Sequence, residues 1–301
     1  MHASLHALTA ELRRLKASGV KSLPVSEESL QKLRAAIAGR GTAGTVVPAV
    51  AAPVEKPVLI PNAPVRTFAA KPVVVETPTI PVPEAFVLEA GDKAARWAAL
   101  RERVLNDPVC RARVRAGKQV VFGVGSLDAK IMFVGEAPGG EEEVQGEPFV
   151  GLAGQLLNKM IAAMGLKRAD VYIGNIMNWR PEMPMDASGV QYGNRPPSPQ
   201  ELAYCLPYLK AQIEVVNPEL LVALGSTAAQ GLLGVGTFKA LGEVRGKWRE
   251  FASKPLMVTY HPSYILRNQS NQSKRLIWED LLKVMERAAL PISEKQRGFF
   301  A

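Results

Sequence analysis

Residues 134–154, VGEAPGGEEEVQGEPFVGLAG, end an apolar run in a glycine- and proline-rich turn crowded with Glu136, Glu141, Glu142 and Glu143, and close on Phe149. The turn has neither the G-x-x-x-x-G-K-[ST] nor the G-x-G-x-x-G spacing of a phosphate cradle. Its carboxylates would repel phosphate, so it suits a neutral group or a centre that becomes positive during reaction. His261 is the one histidine outside the N-terminal segment that carries His2 and His6, and it precedes Pro262 at the end of another apolar run. One imidazole without cysteine or histidine neighbours is no metal-ligand set. A nucleophilic triad fails as well, because no G-x-S-x-G follows a strand and no second histidine is at hand as base. Asn175, in GNIMNWRP, ends a third apolar run. An acidic turn, an aromatic ring, an amide and a lone histidine can together stack a flat ring and read its polar edge. They can also stabilise negative charge on a departing ring and positive charge on a sugar, which is what breaking an N-glycosidic bond requires.

These residues must be held by a scaffold. The runs AKIMFVGE (129–136), VYIGNI (171–176), LLVALGS (220–226) and LMVTYH (256–261) are short and continuously apolar, as strands covered on both faces are. Helical patterns fall at 152–165, 198–215, 226–234 and 273–288, with SPQE (198–201) as a capping box carrying Pro at the first helical position and GST (225–227) as another N-cap. The alternation predicts a parallel sheet, whose ligands bind at the carboxyl ends of the strands. Those ends are GEAPG, NIMNWRP, GST and HPSYILR.

With 301 residues and 47% hydrophobic content, the chain can bury a full core. Residues 1–40 read as two amphipathic helices, a docking element for a protein partner. Residues 41–87, rich in Pro, Ala and Val without periodicity, read as a linker. The folded domain is expected over 88–290 and a tail over 291–301. A net charge of +9 suits a polyanionic partner such as nucleic acid. Two cysteines make no disulfide framework, and no secretory segment or membrane-length run is seen, so a cytoplasmic monomer is expected.

Over roughly 105–288 the chain resembles the uracil-DNA glycosylase superfamily, and most closely its iron–sulfur (family 4) uracil-DNA glycosylases. VVFGVGSLDAKIMFVGEAPGGEEEVQGEPFVGLAGQLLNKMI looks like that family's first motif, VYIGNIMNWRP like its second and YHPSYILR like its third. LVALGSTAAQGLLG and WEDLLKV fall in familial places and order. The resemblance implies a three-layer α/β/α fold with a central four-stranded parallel sheet. It implies a monofunctional enzyme that flips uridine from DNA and hydrolyses the N-glycosidic bond to leave an abasic site. Carried over residue by residue, Phe149 stacks on uracil, Asn175 pairs with its O4 and N3, and His261 donates to O2. Backbone groups of Glu136, Ala137 and Pro138 line the base, and Glu136 or Glu142 orients water or supports the cationic sugar. Some relatives place an Asp where this chain has Ala137. Ser226, Ser263, Leu266 and Arg267 fall where the family meets DNA, with Leu266 or Arg267 filling the gap in the stack. Two other functions stay open: a DNA-binding superfamily member without robust excision, and a glycosylase for another deaminated base such as hypoxanthine.

Two departures qualify the resemblance. The family's [4Fe–4S] cluster takes four cysteines, whereas the corresponding positions here are Asp107, Cys110, Trp179 and Cys205. An indole offers a metal no lone pair, so no cluster or other cofactor is expected, and Trp179 is expected to pack into the vacated site. The segment EMPMDASGVQYG (182–193) lengthens the connection after the second motif. It holds no histidine, so the covalent attachment to DNA made by one branch of the superfamily is not expected.

Overall fold

The computed structural model describes residues 80–185, 191 and 193–300. The expected N-terminal helices, most of the linker, and residues 186–190 and 192 of the insert lie outside the described residues.

Four parallel strands coincide with the four apolar runs: β2 (Ile131–Gly135), β3 (Tyr172–Asn175), β4 (Leu220–Leu224) and β6 (Lys254–Thr259). The expected central four-stranded parallel sheet is present, and among the described residues short antiparallel edges extend it to six strands in the order β1-β3-β2-β4-β6-β5. β1 (Val124–Gly125) pairs with β3 and β5 (Trp248–Phe251) with β6. Neither edge carries a continuous apolar run, since each is only half covered.

Alternation along each strand divides the core into two layers. Met132, Val134, Leu221 and Val258 face one cluster, and Ile131, Phe133, Val222 and Met257 face the other. The first cluster is closed by α1 (Lys93–Asn106), α2 (Pro108–Ala112), α5 (Pro199–Val216) and α6 (Ser226–Leu233). The second is closed by α4 (Leu152–Ala163) and α8 (Asn271–Arg287). Two short helices, α3 (Gly140–Gln145) and α7 (Pro262–Arg267), follow β2 and β6 directly. The result is the expected three-layer α/β/α arrangement, with Gly135, Asn175, Leu224 and Thr259 ending the parallel strands along one edge.

The expected capping box is formed. Ser198 accepts from Glu201 N, Glu201 Oε2 accepts from Ser198 N at 2.7 Å, and Arg195 holds both Glu201 oxygens at 2.7 Å. Ile80 and Phe86, within the expected linker, pack on the first core cluster, as does Leu88. Residues 294–297 of the expected tail form α9 (Glu294–Arg297), because buried donors need acceptors there. Trp278 Nε1 donates to Gln296 O at 2.6 Å, and Arg275 donates to the carbonyls of Arg297 and Phe299.

The last turn of the sheet is tied to α8 by Asp280, which is buried. It accepts from Thr259 Oγ1 at 2.7 Å and from Arg245 Nε and Nη2 at 3.1 and 2.8 Å. Asp280→Ala strands a half-buried guanidinium and a buried hydroxyl and should cost about 3 kcal/mol. Chemical denaturation would register this as a lower midpoint at unchanged slope; a loss below about 1 kcal/mol would contradict the assignment.

Candidate active site

The strand ends open into a cavity of about 770 Å³. Its lining includes Glu136, Ala137, Pro138, Glu142, Phe149, Asn175, Ser226, His261, Ser263 and Arg267, so one site gathers nearly every position singled out from the sequence. Leu266 is absent from the lining and lies on α7 with 40% of its surface exposed.

Glu142 shapes the first wall. Its carboxylate accepts from the backbone N–H of Gly139 at 3.1 Å, Val150 at 3.1 Å and Gly151 at 3.0 Å. It therefore joins the start of α3 to the start of α4 and sets the course of the loop that carries Phe149. Phe149 adopts φ 53°, a left-handed conformation rare for a bulky residue. Arg168 clamps the same loop by donating to the carbonyls of Pro148 and Phe149 and to Glu147. A Cβ at position 154 would lie 1.9 Å from Phe149 O, so α4 approaches this strained turn only because Gly154 has none. The Phe149 ring faces the His261 ring at 5.6 Å between centroids.

Asn175 ends β3 and is only 6% exposed. Its side-chain Oδ1 is buried without a hydrogen-bond partner among the described residues. A buried acceptor left unpaired costs about 1–3 kcal/mol, so this one is held ready for a donor that the protein does not supply. It sits beside the Phe149 ring, since a Cβ on Gly135 would meet both Asn175 Oδ1 and Phe149 Cζ within 2.5 Å.

His261 caps α7. Ser263 N donates to Nδ1 at 3.2 Å, which leaves the ring proton on Nε2 in the neutral form. Ser263 Oγ lies 2.9 Å from Nδ1 and accepts from Arg267 Nη1 at 3.1 Å, so two residues picked out as DNA contacts also orient the imidazole. Burial, and then the Arg267 charge, lower the His261 pKa to about 4. Gly225 lets β4 come close behind it: at φ 93°, its missing Cβ would stand 2.9 Å from His261 Cβ.

Glu136 is distinct from Glu142. Burial raises its pKa, and a hydrogen bond with Thr227 offsets this only in part. Sequence reasoning missed Thr227, Leu152, Asn194 and Arg195, which also line the cavity. Asn194 and Arg195 arrive from the far side of the insert. Arg180 brings them in, donating to Gln191 O, Gly193 O and Asn194 Oδ1 while pairing with Glu143 at 3.0 Å. No local pattern betrays that return path.

The four positions corresponding to the family's cluster ligands do converge, on the other side of the molecule's core. The Cys110 and Cys205 thiols are buried within hydrogen-bonding distance of each other; that contact and burial push the Cys110 pKa up, favouring the thiol over the thiolate a metal needs. Asp107 accepts from Cys110 N at 2.7 Å, Tyr204 Oη at 2.8 Å and Tyr208 Oη at 2.7 Å. Burial raises its pKa, but these bonds more than compensate and leave it below its ordinary value. Trp179 is 1% exposed against Tyr204, with its indole N–H unpartnered. A carboxylate spent on three donors, a Cys110 thiol held in its protonated form and an indole do not fit an iron–sulfur cluster.

Comparison with known proteins agrees with this geometry. The family model for the uracil DNA glycosylase superfamily matches residues 122–282, and the chain belongs to that superfamily. It is 42% identical over 183 residues to the type-4 uracil-DNA glycosylase of Thermotoga maritima, spanning 60% of this chain and 89% of that one. It is 41% identical over 152 residues to the type-4 enzyme of Archaeoglobus fulgidus (48% and 71%), and 30% identical over 172 residues to the type-5 uracil-DNA glycosylase of Pyrobaculum aerophilum (55% and 73%).

The site predicts an unusual titration. Because folding lowers the His261 pKa from about 6.5 to about 4, its contribution to stability is complete above about pH 6.5 and fades as the pH falls toward 4. Nuclear magnetic resonance of the ring protons should place its midpoint near 4; a midpoint near 6.5 would contradict the burial that lowers it.

Proposed function

We propose that this chain is a monofunctional uracil-DNA glycosylase of base excision repair, which draws uracil out of the DNA stack and hydrolyses its N-glycosidic bond to leave an abasic site. The unpaired Oδ1 of Asn175, buried beside Phe149 in the same cavity as His261, carries the proposal. Uracil presents an N3–H donor to that oxygen and an O4 acceptor to the amide Nδ2. Cytosine presents the reverse pattern and leaves both amide groups opposed, which is worth about 1–3 kcal/mol of discrimination or more in a rigid site. Phe149 stacks on the base, and the backbone of Glu136, Ala137 and Pro138 borders it.

As the bond breaks, the base leaves as an anion with charge on O2. A neutral imidazole that donates from Nε2 stabilises that oxygen without first having to lose a proton. Of the two candidate glutamates, Glu136 takes the water and the cationic sugar. Its raised pKa suits a general base, whereas Glu142 is committed to three backbone donors. Leu266, exposed on α7, fills the space left by the flipped base, while Ser226 and Arg267 meet the phosphates. The names of the relatives point the same way.

The enzyme works without an iron–sulfur cluster, as a cytoplasmic monomer whose N-terminal segment serves a protein partner. Among the described residues no helix is long and apolar enough to cross a membrane.

Excision from single- and double-stranded oligonucleotides containing uracil tests the reading. Asn175→Ala and His261→Ala should each lose about 10²-fold or more in rate. Glu136→Gln should lose rate at unchanged melting temperature, and Glu142→Gln should lower both. An unmodified protein that binds DNA but excises nothing would be a binding module; equal rates on hypoxanthine would overturn the role of Asn175. Protein made with iron and sulfide available and kept from oxygen should carry neither, and stoichiometric iron would disprove the cluster-free state.

A further inference from the structure

A second concave site lies outside the cavity described above. Residues 111–118, RARVRAGK, hold four cations and no acid. Three of them, Arg111, Arg115 and Lys118, line a cavity of about 450 Å³ together with Val114 and Gln119, and among the described residues no carboxylate lines it. Arg111 is exposed at the last turn of α2 and has no acidic partner among the described residues. Lys118 stands 3.8 Å from Glu143, a carboxylate that Arg180 holds more closely at 3.0 Å. Arg115 donates to Gln191 Oε1, a neutral acceptor.

The strip is anchored to the back of α3. Gln119 N donates to Glu143 O at 2.7 Å, and Gln119 Nε2 donates to Val144 O at 2.8 Å. The first residues of α3 line the candidate active site. A six-residue helix is about 9 Å long. That is the rise of two to three nucleotides at about 3.4 Å each.

We propose that Arg111, Arg115 and Lys118 form a phosphodiester-binding strip. It holds the DNA strand about three nucleotides from the extruded residue, on the α3 side of the cleft. This rests on the glycosylase reading above. Guanidinium forks match phosphate oxygens in pairs, and an acid-free pocket is the environment a polyanionic backbone needs. The apolar floor formed by Val114 accommodates deoxyribose. The strip thus adds affinity along the strand without reading sequence, because phosphate contacts position DNA and base contacts specify it.

The test uses the full chain, with Arg111→Gln, Arg111→Glu and the double substitution Arg111→Glu/Lys118→Glu. Fluorescence anisotropy on a uracil-free duplex of about 30 base pairs, between about 50 and 200 mM salt, gives the slope of log K against log salt. Each lost phosphate contact should reduce that slope by about 0.9. The double substitution should therefore reduce it by nearly two and weaken binding about tenfold or more, with Arg111→Gln losing about one. Excision from a pentamer with a central uracil, too short to reach the strip, should stay within about twofold of the unmodified protein. Unchanged affinity and slope would overturn the proposal. So would an equal loss of excision on the pentamer and the long duplex, which would mean that the charges act through Glu143 on the active site. Failure of the unmodified protein to excise uracil from the pentamer would instead count against the glycosylase reading, and the salt slopes would still decide the strip.

Discussion

The carboxylate of Glu142 is the contact on which the site's geometry rests. Three backbone N–H groups from two helix starts converge on it, and the loop over residues 146–151 is thereby closed into one shape. An ionised acceptor makes hydrogen bonds about twice as strong as neutral ones. That strength is needed, because the loop ends in a phenylalanine held in a left-handed conformation that costs about 1–3 kcal/mol. Arg168 grips the same loop from the opposite side through its carbonyls. The ring of Phe149 is thus fixed before any ligand arrives, and so are its distances to Asn175 and His261. The acidity of this loop in a chain of charge +9 has a local cause as well as a chemical use: one glutamate builds the wall, another faces the cavity, and a third, Glu143, binds the arginine that brings in the far side of the insert.

Much of this was legible in the residues themselves. Continuous apolar runs give parallel strands because such strands are covered on both faces, so β2, β3, β4 and β6 could be placed. The capping box at Ser198 marked the start of α5 to within a residue. Asn175 and His261 could be chosen because each stands at or just past a strand end, and strand ends in such a sheet share one edge; Phe149 could be chosen because it closes the acidic stretch that follows β2. What could not be read depends on contacts distant in sequence. The two edge strands are too short or too exposed to show a pattern. Asn194 and Arg195 enter the cavity only because Arg180 draws the insert back, and Thr227 matters only because Glu136 lies across from it. Composition could not separate Glu136 from Glu142, since the distinction is which of them the backbone occupies. The segment 291–300 looked like a tail because its acceptors are carbonyls, which every sequence has.

The node at Asp107 shows how one kind of cross-link can stand where a relative uses another. Its carboxylate ties α2 to α5 through Cys110 N and the hydroxyls of Tyr204 and Tyr208, and Trp179 fills the remaining volume. These groups join the same three chain segments that four cysteines would join around a metal. The tyrosines are pushed toward their protonated forms by burial and by the Asp107 charge, so they remain donors throughout the physiological range. A carboxylate with two phenols is a directional joint, and the packed indole makes it a dry one.

Cys110 and Cys205 are the chain's two cysteines, and both face inward against each other. To a thiol-reactive dye in the surrounding water, the folded domain therefore offers no sulfur of its own. A single cysteine placed at an exposed position such as Val235 would be labelled alone, without removing any native residue. Fluorescence could then follow the domain's encounter with a nucleic acid in real time, a use made available by the burial of two side chains that in a relative would hold iron.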